Sequence, residues 1–155
     1  MKNFQQRALD SQNDKKKIEP PPVTDYMVDA KKLITFRPDT PMSEVVNTLL
    51  QYKITGAPVL NGNGEVVGLI DDKDCLNIMV GGVYYDQPTG GSTVAAYMSN
   101  VMKSISVKAN ILDVAHIFLT TPYKRLLIMD DNGKLAGQIS RQDVLRAIRD
   151  MKLAG

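Results

Sequence analysis

The chain has 155 residues, 43% of them hydrophobic and 23% charged, which is the composition of a soluble globular protein large enough to form a core. Its net charge of +2 is too small to indicate a nucleic-acid or membrane-surface partner, and no apolar run approaches the roughly 18 residues of a membrane span. Cys75 is the single cysteine and the N-terminus lacks the apolar core of a signal peptide, so we expect a reduced protein in the cytoplasm.

Residues 1–22 are predicted to form a polar N-terminal tail that ends in a proline hinge. The segment contains a lysine run at 15–17 and three prolines at 20–22, and a chain of this composition buries too little apolar surface to fold. No aromatic residues alternate with the lysines, as binding to single-stranded nucleic acid requires, so the run is interpreted as solvated charge. Weak RNA or DNA binding through this tail is kept as an alternative.

Residues 23–80 are predicted to form a first β-α-β-β-α unit. A β-prone run at 33–36 is followed by Asp39, Thr40 and Pro41, a typical helix start with proline at the first helical position. The helix that follows is predicted to be amphipathic because apolar residues recur at helical spacing, namely at Met42, Val45, Val46, Leu49 and Leu50.

The first unit is predicted to end with a hairpin and a second helix. Strands at 57–60 and 65–70 flank residues 61–64, whose two Asn-Gly pairs tolerate the positive φ of a tight turn. The acidic residues Asp71, Asp72 and Asp74 are predicted to cap the second helix. Cys75 lies in the apolar half of that helix and is expected in the core.

A glycine-rich segment at 81–93 is predicted to link this unit to a second copy of itself at 94–151. When the sequence is shifted by 69 residues, the pattern of 34–79 returns without a gap. The helix stripe returns as Ile111, Val114, Ala115, Phe118 and Leu119. The turn Asn63-Gly64 becomes Asn132-Gly133, and Asp74 becomes Asp143. An internal repeat of this length predicts two equivalent structural units.

The two units together predict an α/β (α+β) fold. Each unit offers a three-stranded sheet with helices on one side, which leaves the other sheet face apolar and uncovered. Packing the units sheet to sheet buries both faces around a pseudo-twofold axis. The same arrangement creates two equivalent clefts between the units, where ligands are expected.

The order of elements, found twice, resembles a tandem pair of cystathionine-β-synthase (CBS) domains, which together form one Bateman module. The resemblance rests on a strand-hairpin-strand element that ends Gly-h-h-[Ser/Thr]-x-x-Asp (h, apolar), found here at 137–143 with Gln138 at the first h position, and on Tyr-Met stretches at 26–27 and 97–98. The resemblance covers about residues 23–151. From end to end, the chain is similar to free-standing bacterial proteins of this size. The resemblance implies a regulatory module that binds AMP, ADP or ATP, with AMP favoured and S-adenosylmethionine ranked behind them, and that forms a homodimer or acts on an unknown protein partner.

From the residues alone, Ser140 and Asp143 have the spacing of a capping box at the start of a helix. The resemblance implies in addition one nucleotide site with its polar groups in the second unit. Asp143 matches the acid that accepts hydrogen bonds from both ribose hydroxyls, and Ser140 matches a hydroxyl near ribose and phosphate at a helix N-terminus. Lys124 and Arg125 fall where such sites carry phosphate-binding bases. The adenine is expected in an apolar slot formed largely by the first unit, at Ile34, Ile54, Ala57 and Pro58.

The second cleft is expected to be weak or empty. Asp71 stands at the position of Ser140, and the counterparts of the two phosphate-binding bases are the uncharged Thr55 and Gly56. Asp74 could still hold a ribose, but Asp71 and Asp72 would repel a phosphate. The adenine slot of this cleft would contain two less apolar residues, Lys103 and Tyr123.

No pattern in the sequence indicates catalysis or a resident metal. His116 is the only histidine and falls outside the helix stripe, so we expect it at the surface without the positioned partners that a catalytic histidine needs. Asp71, Asp72 and Asp74 could bind Mg²⁺, but helix capping explains their spacing equally well. No Walker loop or Rossmann fingerprint is present. An interaction module without a ligand remains the alternative of a different class.

Overall fold

A computed structural model describes residues 19–84, 91–100 and 102–154 of the chain. The predictions for most of the N-terminal tail and for the centre of the glycine-rich linker lie outside the described residues. The two halves are α+β units that pack sheet to sheet with pseudo-twofold symmetry, as predicted. Within the described ranges, no helix has both the length and the apolar character needed to cross a bilayer.

Each half contains a hairpin between two helices. The first half comprises α1 (Met42–Tyr52), β2 (Gly56–Leu60), β3 (Val66–Asp71) and α2 (Asp72–Tyr84). The second half comprises β4 (Ser104–Ser106), α4 (Ile111–Thr120), β5 (Arg125–Met129), β6 (Leu135–Ser140) and α5 (Arg141–Ala154). Each sequence repeat begins with a further short element, namely β1 (Val28–Asp29) in the first and α3 (Val94–Tyr97) in the second.

The strand registers follow the 69-residue repeat. Gly56 pairs with Asp71 in the first hairpin, and Arg125 pairs with Ser140 in the second. Both hairpins also shift register at the same place, at Val59/Leu60 and at Ile128/Met129. The repeat read from the sequence is therefore a repeat of hydrogen-bonding geometry.

The segment at the start of each sequence repeat, at 23–29 and at 94–99, packs on the other half. β1 pairs with β6, and Val23 is fully buried in the core of the second half. In the same way, Val94 is fully buried in the core of the first half, and Ser99 forms a bridge with Leu69 of β3. The two halves are joined by this exchange as well as by the packing of their sheets.

Glycine allows the exchanged segments to approach the strands. A Cβ atom at Gly68 would lie 2.6 Å from Met98 Sδ, and one at Gly137 would lie 2.6 Å from Met27 Sδ and 2.5 Å from the Val28 carbonyl oxygen. The contact with backbone at Gly137 excludes any side chain there, whereas at Gly68 the Met98 side chain would have to move and the Ser99 carbonyl oxygen, at 3.0 Å, leaves little room. This explains why the Tyr-Met stretches and the glycines of the motif recur together.

The first half does not form the predicted three-stranded sheet. Residues 33–36 form only an isolated bridge, from Phe36 to Val59, whereas the equivalent β4 is a three-residue strand. The physical reason is Pro58, because proline has no N–H to donate to residue 34. The equivalent Leu127 does donate its N–H to the carbonyl of Lys103, at 3.2 Å.

The buried faces of α1 and α4 are narrower than the predicted apolar stripes. Met42, Val45 and Leu49 are buried, but Leu50 is 73% exposed, and its equivalent Leu119 is 85% exposed. These two leucines belong to the predicted apolar stripes but lie on the surface. The positions predicted for Cys75, in the core, and for His116, at the surface, are confirmed.

Candidate functional site

A cavity of about 880 Å³ lies between the two halves. Its volume falls within the range of small-molecule sites, roughly 300–1,000 Å³. Among the described residues that line it none is acidic and five are cationic, namely Lys32, Lys53, Lys124, Arg125 and Arg141. This concentration of one sign of charge makes the cavity suited to an anionic ligand.

One wall of the cavity is apolar. It is formed by Val28, Leu33, Ile34, Ile54 and Pro58, all from the first half or from the segment that precedes it. Three of the four residues predicted for the adenine slot are in this wall. The fourth, Ala57, does not line this cavity but a smaller one on the other side of its strand, because neighbouring residues of a strand face opposite ways.

Ser140 and Asp143 form a capping box at the start of α5. Asp143 Oδ2 accepts hydrogen bonds from the Ser140 N–H at 2.9 Å and from its hydroxyl at 3.0 Å, while Asp143 N–H is 3.3 Å from the same hydroxyl. Asp143 Oδ1 accepts from Arg146 Nη2 at 3.1 Å. Ser140 lines the cavity, as predicted, whereas Asp143 is not among the lining residues and its side chain is 14% exposed.

Hydrogen-bond capacity limits what Asp143 can add. An ionised carboxylate has about four acceptor positions, and three of them are occupied. Contact with both hydroxyls of a ribose therefore requires Arg146 to move away or the Ser140 hydroxyl to turn towards another acceptor. The i,i+3 spacing of Asp143 and Arg146 on one helix was a signal for this competition that the sequence contained.

Arg125 belongs to β5 of the second half, and its side chain reaches residues of the first half. Its guanidinium donates a hydrogen bond to the Thr55 hydroxyl and lies over Gly56, where an added Cβ would be 3.1 Å from Nη1. Burial lowers the pKa of Arg125, and the carboxylates of Asp71 and Asp72 partly oppose that shift. Arginine nevertheless remains charged in proteins, so Arg125 keeps its positive charge in the cavity.

A smaller cavity of about 270 Å³ lies at the equivalent position of the first half. Of the residues predicted for the second cleft, Asp71, Thr55 and Tyr123 line it, whereas Asp74 and Lys103 do not. Its walls include Asp71 and Asp72 together with Lys124 and Arg125, so cations and carboxylates face the same space. The expected acidic character is thus partly neutralised by two bases of the second half.

Asp74 forms a capping box with Asp71 that mirrors the one in the second half. Asp71 N–H donates to Asp74 Oδ2 at 3.0 Å, and Asp74 N–H donates to Asp71 Oδ1 at 2.9 Å. Burial raises the pKa of Asp74, and the charge of Asp71 adds to that rise. Among the described residues, no group of three or more His, Cys, Asp or Glu side chains is arranged to hold a metal ion.

Five polar lining residues were not predicted from the sequence, in addition to the apolar Val28 and Leu33. The five polar residues are Lys32, Lys53, Arg141, Gln138 and Gln142. A signal existed for Arg141 and Gln142, which directly follow Ser140 at the start of a helix. None existed for Lys32, since its position depends on the pairing of the preceding β1 with β6 of the other half.

Known sequences and structures are similar to this chain over most of its length. The sequence profile of the CBS domain matches residues 23–81 and 94–150. The CBS domain-containing protein CBSX1, chloroplastic, of Arabidopsis thaliana is 29% identical over 156 residues, with 86% of this chain and 66% of that protein covered. This chain spans just under two thirds of that relative's length.

Two solved structures share the fold. The crystal structure of CBSX2 in complex with AMP, a protein from Arabidopsis thaliana, has a TM-score of 0.74 and 29% identity, and covers 85% of this chain and 98% of that chain. The crystal structure of CbpB in complex with c-di-AMP has a TM-score of 0.72 and covers 86% of this chain and 87% of that chain. Its identity is 18%, so the likeness concerns the fold alone.

Proposed function

Because the chain belongs to the CBS domain family, we propose that it is a regulatory module whose larger cavity binds an adenosine nucleotide. The observation that carries the proposal is the division of the cavity into an apolar wall and five cationic side chains, with no acid among the described lining residues. A nucleotide has the same division, since its base is flat and weakly polar and its phosphate is anionic. The complex of CBSX2 with AMP supports this choice of ligand.

AMP is the preferred ligand of the proposal, with ADP and ATP as close competitors. All three carry a phosphate that the cations of the cavity attract. S-adenosylmethionine ranks behind them because its sulfonium carries a positive charge, which these same cations repel. We also propose that this chain is related to free-standing bacterial CBS proteins of similar size.

In the proposed complex, the phosphate lies at the N-terminus of α5, near Ser140, Lys124 and Arg125. Free N–H groups and the helix dipole favour an anion there. The adenine lies against Ile34, Ile54 and Pro58. Asp143 accepts hydrogen bonds from the ribose hydroxyls once its bond to Arg146 is broken. Since the apolar and polar groups belong to different halves, the ligand holds the two halves together.

The test is isothermal titration calorimetry with AMP on matched variants of the two capping boxes. Asp143→Ala should weaken binding by roughly tenfold to a hundredfold, because it removes charge-assisted hydrogen bonds to the ribose. Asp74→Ala breaks the equivalent box of the first half and serves as the control, so it should cost similar stability and leave affinity unchanged. If Asp74→Ala proves the damaging change instead, the site has been assigned to the wrong half.

The smaller cavity is proposed to stay weak or empty for nucleotides. Its volume of about 270 Å³ is below that of typical ligand sites, and Asp71 and Asp72 face the space that a phosphate would need. A single binding site per chain in the same titration is the expected stoichiometry, and two sites of equal affinity would refute it.

We also propose that the protein senses its ligand rather than converting it. Ligand binding would favour whichever arrangement of the two halves has the higher affinity, and it would shift that equilibrium by the difference in affinity alone. Incubation with ATP should release no phosphate above the level of a protein-free control. Steady phosphate release that is lost in Asp143→Ala would instead assign an enzyme.

A homodimer is part of the proposal. Two pairs of exposed leucines recur at equivalent positions of the halves, Leu50 with Leu119 and Leu76 with Leu145, and all four are at least 63% exposed. An apolar surface repeated by the pseudo-twofold axis suits a second copy of the same chain, which presents the same repeat. Leu119→Lys combined with Leu145→Lys should reduce the mass in sedimentation equilibrium to that of a monomer.

The alternatives are an interaction module without a ligand and a nucleic-acid module. The basic tail that would carry the second lies almost wholly outside the described residues. RNA affinity that falls steeply with salt and is lost on removing residues 1–20 would favour it. If the protein binds none of AMP, ADP and ATP, the interaction module without a ligand would be the remaining alternative.

A further inference from the structure

Gln138 lies in the larger cavity and has no place in the predicted site. It is in the middle of β6, opposite Val28 of β1 and Leu127 of β5. Side chains two apart on a strand share one face, so Gln138 lies beside Ser140 at a distance of about 6.8 Å along the strand. Both residues line the same cavity.

The side-chain carbonyl oxygen of Gln138 is not satisfied by the protein. This Oε1 atom is buried and has no hydrogen-bond partner, which is true of no other buried side-chain nitrogen or oxygen in the part of the chain that the structure describes. An unpaired buried acceptor carries a free-energy penalty, so such groups are rare in native proteins. A position that tolerates this penalty in the free protein invites a functional explanation.

The equivalent residue of the first half supplies a comparison. Leu69 occupies the same position of β3 and lines the smaller cavity. It also makes the same kind of backbone pairing, a bridge to Ser99. Since leucine satisfies the fold at this position, the amide of Gln138 is not needed for strand pairing.

We infer that Gln138 recognises the adenine base of the bound nucleotide, an inference that rests on the proposed function. A carboxamide offers an acceptor and a donor side by side, which match the exocyclic N6 amine of adenine and the adjacent ring nitrogen. The two ends exchange by a half-turn about the last side-chain torsion, so the buried Oε1 can turn towards the ligand. Gln138 pairs with Val28, which belongs to the apolar wall of the cavity where the base is proposed to lie.

The decisive experiment combines a change in the protein with a change in the ligand. Gln138→Met keeps the length of the side chain and removes both hydrogen-bonding groups. Affinities for AMP and for purine riboside 5′-monophosphate, which lacks the N6 amine, are measured by calorimetry on both proteins. The wild type should prefer AMP by roughly tenfold, as expected for a lost hydrogen-bonding pair. Gln138→Met should bind both ligands equally, and Leu69→Met should behave like the wild type.

The free protein provides a second readout. Without ligand, Gln138→Met should melt at a temperature equal to or above that of the wild type, because the unpaired acceptor is gone. A lower melting temperature would mean that Gln138 already has a partner and would overturn the inference. Gln138→Leu, which introduces the residue of the first half, repeats both measurements independently.

The outcomes separate this inference from the proposed function. If Gln138→Met weakens both ligands equally, or neither, Gln138 does not recognise the amine while the nucleotide site stands. If the wild type binds AMP, ADP and ATP with no measurable heat or thermal stabilisation, the proposed function fails and the recognition of adenine fails with it.

Discussion

At the residue scale, a hydrogen bond joins the two ends of the described chain. The Tyr26 hydroxyl donates to Asp150 Oδ2 at 2.9 Å, across 124 residues of sequence. This bond lowers the pKa of Asp150 and raises the pKa of Tyr26. Arg146 lies 5.9 Å from the centre of the Tyr26 ring and also contacts Asp143, so the predicted ribose acceptor is connected to the exchanged N-terminal segment.

Tyr26→Phe should therefore reduce stability in a pH-dependent way. A carboxyl group whose pKa is lowered by folding contributes stability above its unfolded pKa, about 3.9, and loses it as the pH falls through the folded value. Urea unfolding should show the mutant less stable than the wild type at pH 7, with the difference shrinking steadily as the pH falls below the unfolded pKa of about 3.9. Tyr52→Phe, at an exposed tyrosine of α1, is the control and should not change stability at any pH in this range.

At the element scale, the space above Gly56 in β2 is filled by Arg125 from β5. A Cβ atom at Gly56 would lie 2.8 Å from the Ile70 carbonyl oxygen, 3.1 Å from Arg125 Nη1 and 3.1 Å from Asp71 Cβ. The repeat thus places a large cation in one half opposite an absent side chain in the other. This pairing allows one arginine to line both cavities.

Gly56→Ala should disturb both the hairpin and the cavity. Since the backbone of β3 cannot give way without cost, we expect a loss of roughly 1–3 kcal/mol in the free energy of unfolding. AMP affinity should also fall, because Arg125 must move. Chemical denaturation and calorimetry measure the two effects. Gly62→Ala is the control, since its nearest neighbour would be Arg37 Nη2 at an ordinary 3.5 Å, and a similar loss there would contradict the explanation.

At the scale of the whole molecule, neither half of the sequence contains its own complete core. Val94 is buried in the first half and Val23 in the second, each with 0% of its surface exposed. Burying one such side chain contributes about 1.5–3 kcal/mol, and strand pairing by the exchanged segments adds to it. A cut between the family's two sequence repeats therefore removes from each half a part of its structure.

Fragments should reveal this dependence. A fragment of residues 1–90 lacks Val94 and should not unfold cooperatively on heating, whereas a fragment of residues 1–100 contains it and should do so. Circular dichroism at increasing temperature measures the difference. Adding residues 91–155 to residues 1–90 should restore a cooperative transition. If residues 1–90 alone melt as sharply as residues 1–100, the exchanged segment is dispensable for the first core.

Much of the fold was predictable because local patterns repeat. The stripe of Met42, Val45 and Leu49, the Asn-Gly turns and the 69-residue offset identify the helices and hairpins. The strand at 33–36 was overestimated because the consequence of Pro58 depends on which strand lies beside it. Leu50 and Leu119 were included in the apolar stripes, yet they are exposed, because periodicity gives a direction but no width for the buried face.

For the candidate site, the sequence predicted many of the lining residues but not how their side chains are arranged. Ser140, Lys124 and Arg125 line the larger cavity, and Ile34, Ile54 and Pro58 form part of its wall. Asp143 does not line it, since the capping box and Arg146 hold its carboxylate. A capping residue and a ligand-binding residue look identical in sequence, because both need a carboxylate at the same helical position.

By itself, the sequence determined that this protein is a repeat of two α+β units with capping boxes at equivalent positions, since turn residues, helix periodicity and repeat offset are local properties. Only the tertiary structure decided which side chains share the cavity. Lys32 and Gln138 come together because β1 crosses to pair with β6 of the other half. Contacts between distant segments depend on strand pairing and packing across the whole chain, and these have no signature in any single stretch of residues.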